Sequence, residues 1–168
     1  MANFQMLDRK DFKNNPFTLI GDEWLLLTSG DKEKFNSMTA SWGGLGHFWG
    51  KDCAVSVVRP SRYTHELMEQ TDCFTICVFP PEHKSTHQVF GNKSGRDVDK
   101  VAETGVTPVF DGDYIYYEEA KLVFCCKKAY SQFLEESGFA DTELISKWYP
   151  DGDFHKLFIG EIEKILIK

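Results

Sequence analysis

His155-Lys156-Leu157-Phe158-Ile159-Gly160-Glu161-Ile162-Glu163-Lys164-Ile165-Leu166-Ile167 is dominated by β-branched and aromatic residues. That composition fits a pleated, half-buried surface. Gly160 in its middle predicts a bulge or a sharp bend. Working back along the chain, Lys121 to Lys127, Tyr114 to Glu119, Phe74 to Phe79, Cys53 to Val58 and Leu25 to Ser29 carry the same bias. Within them Phe74, Ile76 and Val78, or Val55 and Val57, alternate onto one face. At least six strands are expected. Helical signals are fewer and fall between strands. Thr64 caps a short helix ending near Gln70, Ser94 with Asp97 three residues on resembles an acidic capping arrangement before a segment ending at Gly105, and a helix from Asp141-Thr142-Glu143 is stopped by Pro150. Many short strands with a few peripheral helices and no regular βαβ alternation predict a mainly β, closed or partly open barrel rather than a doubly wound sheet.

With 168 residues, residues 1–168 fit one domain that buries about two thirds of the surface its unfolded chain exposes. A formal charge of −7 argues against general binding to nucleic acid or an anionic membrane, since both rely on a basic field. An anionic ligand must therefore be held locally. Met1-Ala2-Asn3-Phe4 opens without a basic segment and apolar core of secretory type, and no apolar run approaches the length of a membrane span, so the chain reads as cytoplasmic. Cys53, Cys73, Cys77, Cys125 and Cys126 lie mostly in apolar runs without a C-x-x-C pair, and read as buried, reduced thiols.

Arg59-Pro60-Ser61-Arg62-Tyr63-Thr64 concentrates two guanidinium groups and three hydroxyls in six residues. Placed at the start of a helix, Arg59, Ser61, Arg62 and Thr64 combine with unpaired N–H groups to suit a phosphate. A capped helix with a solvated arginine pair accounts for the same residues. Gly91-Asn92-Lys93-Ser94-Gly95-Arg96-Asp97 offers two glycines and two cations at what reads as another helix start, but not in the order of a Walker loop. A capped helix with a surface loop is the alternative there. Met38-Thr39-Ala40-Ser41-Trp42-Gly43-Gly44 sets small residues beside a large aromatic, which lets backbone amides reach the edge of a planar ring. A glycine-rich turn beside a core tryptophan explains that stretch equally. His83 and His87, four apart, lack a third metal ligand and read as a surface pair, so no metal site is expected. His155 is either a polar strand end or a group facing a ligand.

Asn36-Ser37-Met38-Thr39-Ala40-Ser41-Trp42-Gly43-Gly44-Leu45-Gly46, Val58-Arg59-Pro60-Ser61-Arg62-Tyr63-Thr64 and Gly91-Asn92-Lys93-Ser94-Gly95-Arg96-Asp97-Val98-Asp99-Lys100 occur in the order found in one family. The chain resembles the flavin reductase-like FMN-binding split barrels, particularly their flavoredoxin-like branch. The resemblance covers nearly the whole chain, including Glu118-Glu119-Ala120 and the run from His155. It implies a Greek-key split barrel, usually a homodimer, with FMN as cofactor. It places Met38, Thr39, Ala40, Ser41 and Trp42 along the isoalloxazine ring. Arg59, Pro60, Ser61, Arg62, Tyr63 and Thr64 would hold the phosphate and ribityl chain, Lys93, Ser94 and Gly95 would close over the cofactor, and His155 would stand near the flavin. The implied activity is electron transfer from NADH or NADPH to flavin and on to an acceptor, with the flavin carrying the chemistry in place of a side-chain acid or base. An electron carrier serving a redox protein partner, or a non-catalytic flavin-binding module, fits the same motifs.

Overall fold

The computed structural model of the chain describes residues 3–168; Met1 and Ala2, part of the opening read above, lie outside the described residues. Its strands are β1 Gln5–Met6, β2 Leu25–Gly30, β3 Phe35–Ala40, β4 Gly43–Phe48, β5 Lys51–Val58, β6 Cys73–Val78, β7 Pro108–Asp111, β8 Tyr114–Tyr117, β9 Leu122–Phe133 and β10 Lys156–Ile167. Among the described residues five α-helices lie in the connections: α1 Pro16–Gly21, α2 Tyr63–Gln70, α3 Lys84–Asn92, α4 Lys100–Thr104 and α5 Glu143–Trp148. The principal sheet is antiparallel in the order β3-β2-β6-β9-β10-β5-β4, with β1 on the far end of β10, and β7-β8 is a separate hairpin. The chain is mainly β with a few helices, as its composition predicts.

The long strand β10 organises the sheet. Its first half pairs with β5 from Lys156↔Val58 to Glu161↔Cys53, and its last residues pair with β1. Along its other side it pairs with β9, and the register shifts between Ile159 and Gly160 and again before Lys164. The bulge expected at Gly160 is present. A Cβ there would lie 2.6 Å from the Phe74 ring, so the missing side chain is what lets the bent strand pack on β6.

Side-chain alternation sends neighbouring residues to opposite faces of β2, β6 and β9. Leu27, Ile76 and Phe124 join Val58, Met68 and Phe158 in one core cluster. Leu26, Cys77 and Val123 join Phe79, Phe90 and Tyr117 in a second, beneath α3 and the β7-β8 hairpin. Burial of each such large side chain contributes about 1.5–3 kcal/mol. All five cysteines are free, and all but Cys73 are fully buried.

The two end strands of the sheet, β3 and β4, are consecutive in the chain and joined only by Ser41 and Trp42. Three Cα–Cα steps separate Ala40 from Gly43, so these edges approach within about 11 Å. The sheet therefore curls until its edges meet at this corner and stays split elsewhere. Gly43 permits the corner: its φ is +153°, and a Cβ would sit 2.3 Å from the Val55 carbonyl oxygen. The glycine-rich turn considered above is instead the start of β4, and Trp42 is 37% exposed rather than a core residue.

Three further sequence expectations are corrected. Thr64 does not cap α2; Arg62 occupies the N-cap position without a side-chain cap, and Thr64 is buried in the first turn. Gly91 and Asn92 end α3 rather than start a helix, and the next helix is capped by Asp99, whose carboxylate accepts from the Ala102 N–H, rather than by Ser94. His87 is no surface residue. It points inward from α3 between Trp24 and Phe79, and is 3% exposed.

Candidate functional site

Two cavities meet beside the β3-β4 corner. The larger, about 300 Å³, is lined by Met38, Thr39, Ala40, Ser41 and Trp42, by Val57 and Arg59 at the end of β5, by Arg62, and by Trp148 and His155. The smaller, about 200 Å³, lies between Asn36 and Met38 of β3, Ser61, Arg62 and Tyr63 at the start of α2, the Gly91 to Gly95 segment, and Lys100. Met38 and Arg62 line both, so the cavities are two halves of one groove.

Charge is distributed unevenly along this groove. Arg62 donates to the carbonyls of Gly91 at 2.9 Å and Phe90 at 3.3 Å. Lys100 is 5% exposed and donates to the carbonyls of Ser37 at 3.0 Å and Phe90 at 3.1 Å. Neither meets a carboxylate among the described residues, although burying an unpaired charge is costly. Burial, and then the nearby Arg62, draw the Lys100 ammonium down to about 8. Burial lowers Arg62 from its ordinary value as well. The N-terminus of α2 adds its partial positive charge to the same wall.

The remaining sequence candidates are engaged elsewhere or line the groove without a free charge. Arg59 lines the larger cavity, but its guanidinium donates to the carbonyls of Trp148 at 2.7 Å and Asp153 at 2.9 Å, and faces the Asp153 carboxylate at 3.6 Å. Ser61 donates to the Asp153 carboxylate at 3.0 Å. Lys93 is paired with Glu103. Pro60 is exposed and lines neither half, while Thr64 accepts from the Asn36 side-chain amide at 2.8 Å and so holds Asn36 in the wall. Gly95 lies directly on that amide: a Cβ would come within 2.0 Å of Asn36 Oδ1. Thr39 donates to the His87 carbonyl at 2.7 Å and ties β3 to α3.

Sequence reasoning did not assign Lys100, Asn36, Trp148 or Val57 to the site. One signal for Lys100 was available: it stands at the first position of α4, directly after the Asp99 cap. A cation there opposes the helix dipole, so its presence asks for another reason. Trp148 gave no such signal, because it comes from a distant segment that folds back over the corner. Its ring meets Trp42 edge-on at 4.9 Å, and His155 lies 5.1 Å from Trp42. Burial and the positive charge of Arg59 pull His155 down to about 4, so its imidazole is neutral at ordinary pH.

Chemically, the groove joins a cationic pole to a flat, aromatic-walled half. Cysteine nucleophiles are not offered: burial pushes the thiols of Cys77 and Cys125 up to about 12 and raises Cys53, Cys73 and Cys126 as well. Among the described residues no cluster of three His, Cys, Asp or Glu side chains suits a metal ion, and no helix is long and apolar enough to cross a membrane.

The architecture is that of the split barrels. The chain belongs to the flavin reductase-like domain family, which matches residues 20–168. The FMN-binding domain of a flavin reductase-like enzyme from Shewanella baltica OS155 superimposes with a TM-score of 0.68 at 19% identity, covering 99% of this chain and 78% of that one. The flavoredoxin of Desulfovibrio vulgaris (Miyazaki F) gives 0.68 at 20% identity, over 96% and 77% of the two chains. The styrene monooxygenase flavin reductase of Pseudomonas putida S12 gives 0.62 at 14% identity, over 85% and 77%. At these identities the likeness is one of fold. No curated protein matches the sequence significantly.

Proposed function

We propose that the chain binds FMN along the groove and transfers electrons from a reduced nicotinamide, through the flavin, to an acceptor. The observation that carries this reading is the pair of cations, half-buried Arg62 and buried Lys100, that donate to backbone carbonyls and meet no carboxylate among the described residues at one pole of the groove. A phosphate dianion compensates such a pair, and a planar ring system suits the half between Met38, Ala40 and Trp42. Bound FMN would supply hydride acceptance and the passing of electrons in ones or twos. The residues then bind and orient. Arg62 and Lys100 hold the phosphate, Gly95 and Asn36 shape the passage between the α3-α4 segment and β3, and the Thr39 to Trp42 corner meets the ring.

The carrier alternative draws on a different observation. Trp148 stands edge-on to Trp42 at 4.9 Å over the flat half, where a nicotinamide must bring its reacting carbon to about 3–3.5 Å from the flavin. The acidic chain also suits docking to a basic redox protein. Anaerobic stopped-flow mixing of the FMN-loaded protein with NADH and with NADPH tests the reductase reading: bleaching of the flavin absorbance is expected. If neither nicotinamide bleaches it while a reduced ferredoxin does, the carrier reading replaces it.

A further inference from the structure

Tyr149 is 5% exposed, and its hydroxyl lies 2.8 Å from Nδ1 of His155. Burial raises the phenol above its ordinary value, so it keeps its proton. That proton needs an acceptor, since a buried O–H without one is costly. Arg59 lies over the Tyr149 ring at 5.1 Å and can only donate. The phenol must therefore donate to Nδ1, which fixes the single imidazole proton on Nε2. Nε2 has no partner among the described residues, and His155 lines the larger cavity. The ring is locked in place: Trp42 packs on one side of it, and Tyr149 is itself stacked on Phe154 at 4.8 Å. Arg59 disfavours a second proton on this imidazole, and Asp153 opposes that only in part.

We propose that Tyr149 and His155 form a hydrogen-bonded pair that presents one neutral N–H donor to the flat half of the groove, where it binds a carbonyl oxygen on the edge of a planar heteroaromatic ligand. His155 is the binding residue and Tyr149 the positioning residue. A neutral donor suits a cavity walled by Met38, Val57, Trp42 and Trp148, because it supplies direction without burying another charge beside Arg59. The inference rests on the flavin reading of the groove. Its carbonyl has two sources, the pyrimidine edge of the flavin or the carboxamide of a nicotinamide.

The test is nitrogen-15 NMR of histidine-labelled protein without cofactor, together with binding and kinetics of two variants. In the wild type His155 is expected as the Nε2–H tautomer, unchanged from about pH 5.5 to 8. Tyr149→Phe keeps the aromatic packing and removes the donor, so its His155 is expected as mixed tautomers. His155→Ala is expected to weaken FMN about three- to tenfold, one neutral hydrogen bond, if the carbonyl is the flavin's. If the carbonyl is the carboxamide, FMN affinity stays and the nicotinamide KM rises by a similar factor. Tyr149→Phe should move the same quantity by a smaller factor, and His155→Gln should restore part of it through its own N–H. An Nδ1–H tautomer in the wild type, or variants that change neither FMN nor nicotinamide binding, overturns the proposal. A wild-type protein with the Nε2–H tautomer that binds no FMN sinks the flavin reading and leaves the donor pair standing.

Discussion

Arg62 and Lys100 donate to the same oxygen: the Phe90 carbonyl accepts from Arg62 Nη2 at 3.3 Å and from Lys100 Nζ at 3.1 Å. Two cations brought together on one dipole repel each other, and part of the lowering of Lys100 comes from Arg62. An anion that reaches both relieves that repulsion. Arg62→Ala is therefore expected to weaken FMN by about 1.5–3 kcal/mol, the range for a charge-assisted bond. Riboflavin, which lacks the phosphate, should bind the variant and the wild type alike. Flavin fluorescence quenching measures both, and equal wild-type affinity for FMN and riboflavin would remove the phosphate assignment.

Lys100 makes two pH trends run in opposite directions. Its value in the folded chain is lowered from 10.5 to about 8. As pH rises through about 8 the ammonium is lost, so FMN affinity should fall. Over the same window, up to 10.5, the unfolded chain holds the proton that the folded chain has released, so this group makes the cofactor-free protein more stable as pH rises. Lys100→Met should flatten both trends. Binding titrations and urea melts between about pH 7 and 10 check them, and an FMN affinity that does not change across that range would exclude Lys100 from the phosphate pole.

The strands that carry apolar residues on both faces were legible in the sequence, because Leu25 to Leu27, Phe74 to Val78 and Leu122 to Cys126 are buried on both sides. The bulge at Gly160 could be read too, since a lone glycine in a β-branched run has few other uses. Strands β3 and β4 were not. Asn36, Ser37 and Thr39 pack against side chains and carbonyls brought in from α2, α3 and β8, and Gly43, Gly44 and Gly46 carry no strand signal of their own. The site followed the same division. Its motifs marked segments that line the groove, but which cations meet no carboxylate depends on Asp153 and Glu103 engaging Arg59 and Lys93. Those pairings are tertiary.

Gly95→Ala should damage the groove by sterics alone. The added Cβ falls 2.0 Å from Asn36 Oδ1 and 2.8 Å from its Cγ, and Asn36 is held by its bond to buried Thr64. Neither can move without shifting β3 against α2. The variant should lose about 1–3 kcal/mol of stability and bind FMN more weakly. Thermal melts with and without FMN separate the two effects, and a variant with wild-type FMN affinity would show that the passage beside Gly95 is not used.

A homodimer is expected. Phe48 at the end of β4, Trp49 just after it and Tyr130 on β9 are 39–63% exposed; Trp49 lies 5.8 Å from Phe48 and 6.4 Å from Tyr130. Aromatic rings gathered in this way on one side of a small barrel need cover. Light scattering at micromolar concentration should return twice the chain mass, and Trp49→Lys should return the single mass. A wild-type monomer with FMN fully bound would establish that one chain completes the site.

Acid should unfold this protein through its histidines. His87 is 3% exposed, and its Nε2 is buried without a partner. Burial brings it down from 6.5 to about 4, and His155 is lowered to about 4 as well. Between these values the unfolded chain takes up protons that the folded chain refuses, so stability falls as pH drops from 6.5 towards 4. Burial lowers His65 as well, so His87→Leu removes one of three such sites, and it suits a pocket formed by Trp24 and Phe79. The Thr39 bond to the residue 87 carbonyl is kept, since it uses the backbone. The variant's melting temperature should therefore decline less steeply over that pH range than the wild type's. Thermal denaturation followed by circular dichroism at several pH values decides it, and equal slopes would mean that His87 takes up its proton without loss of the fold.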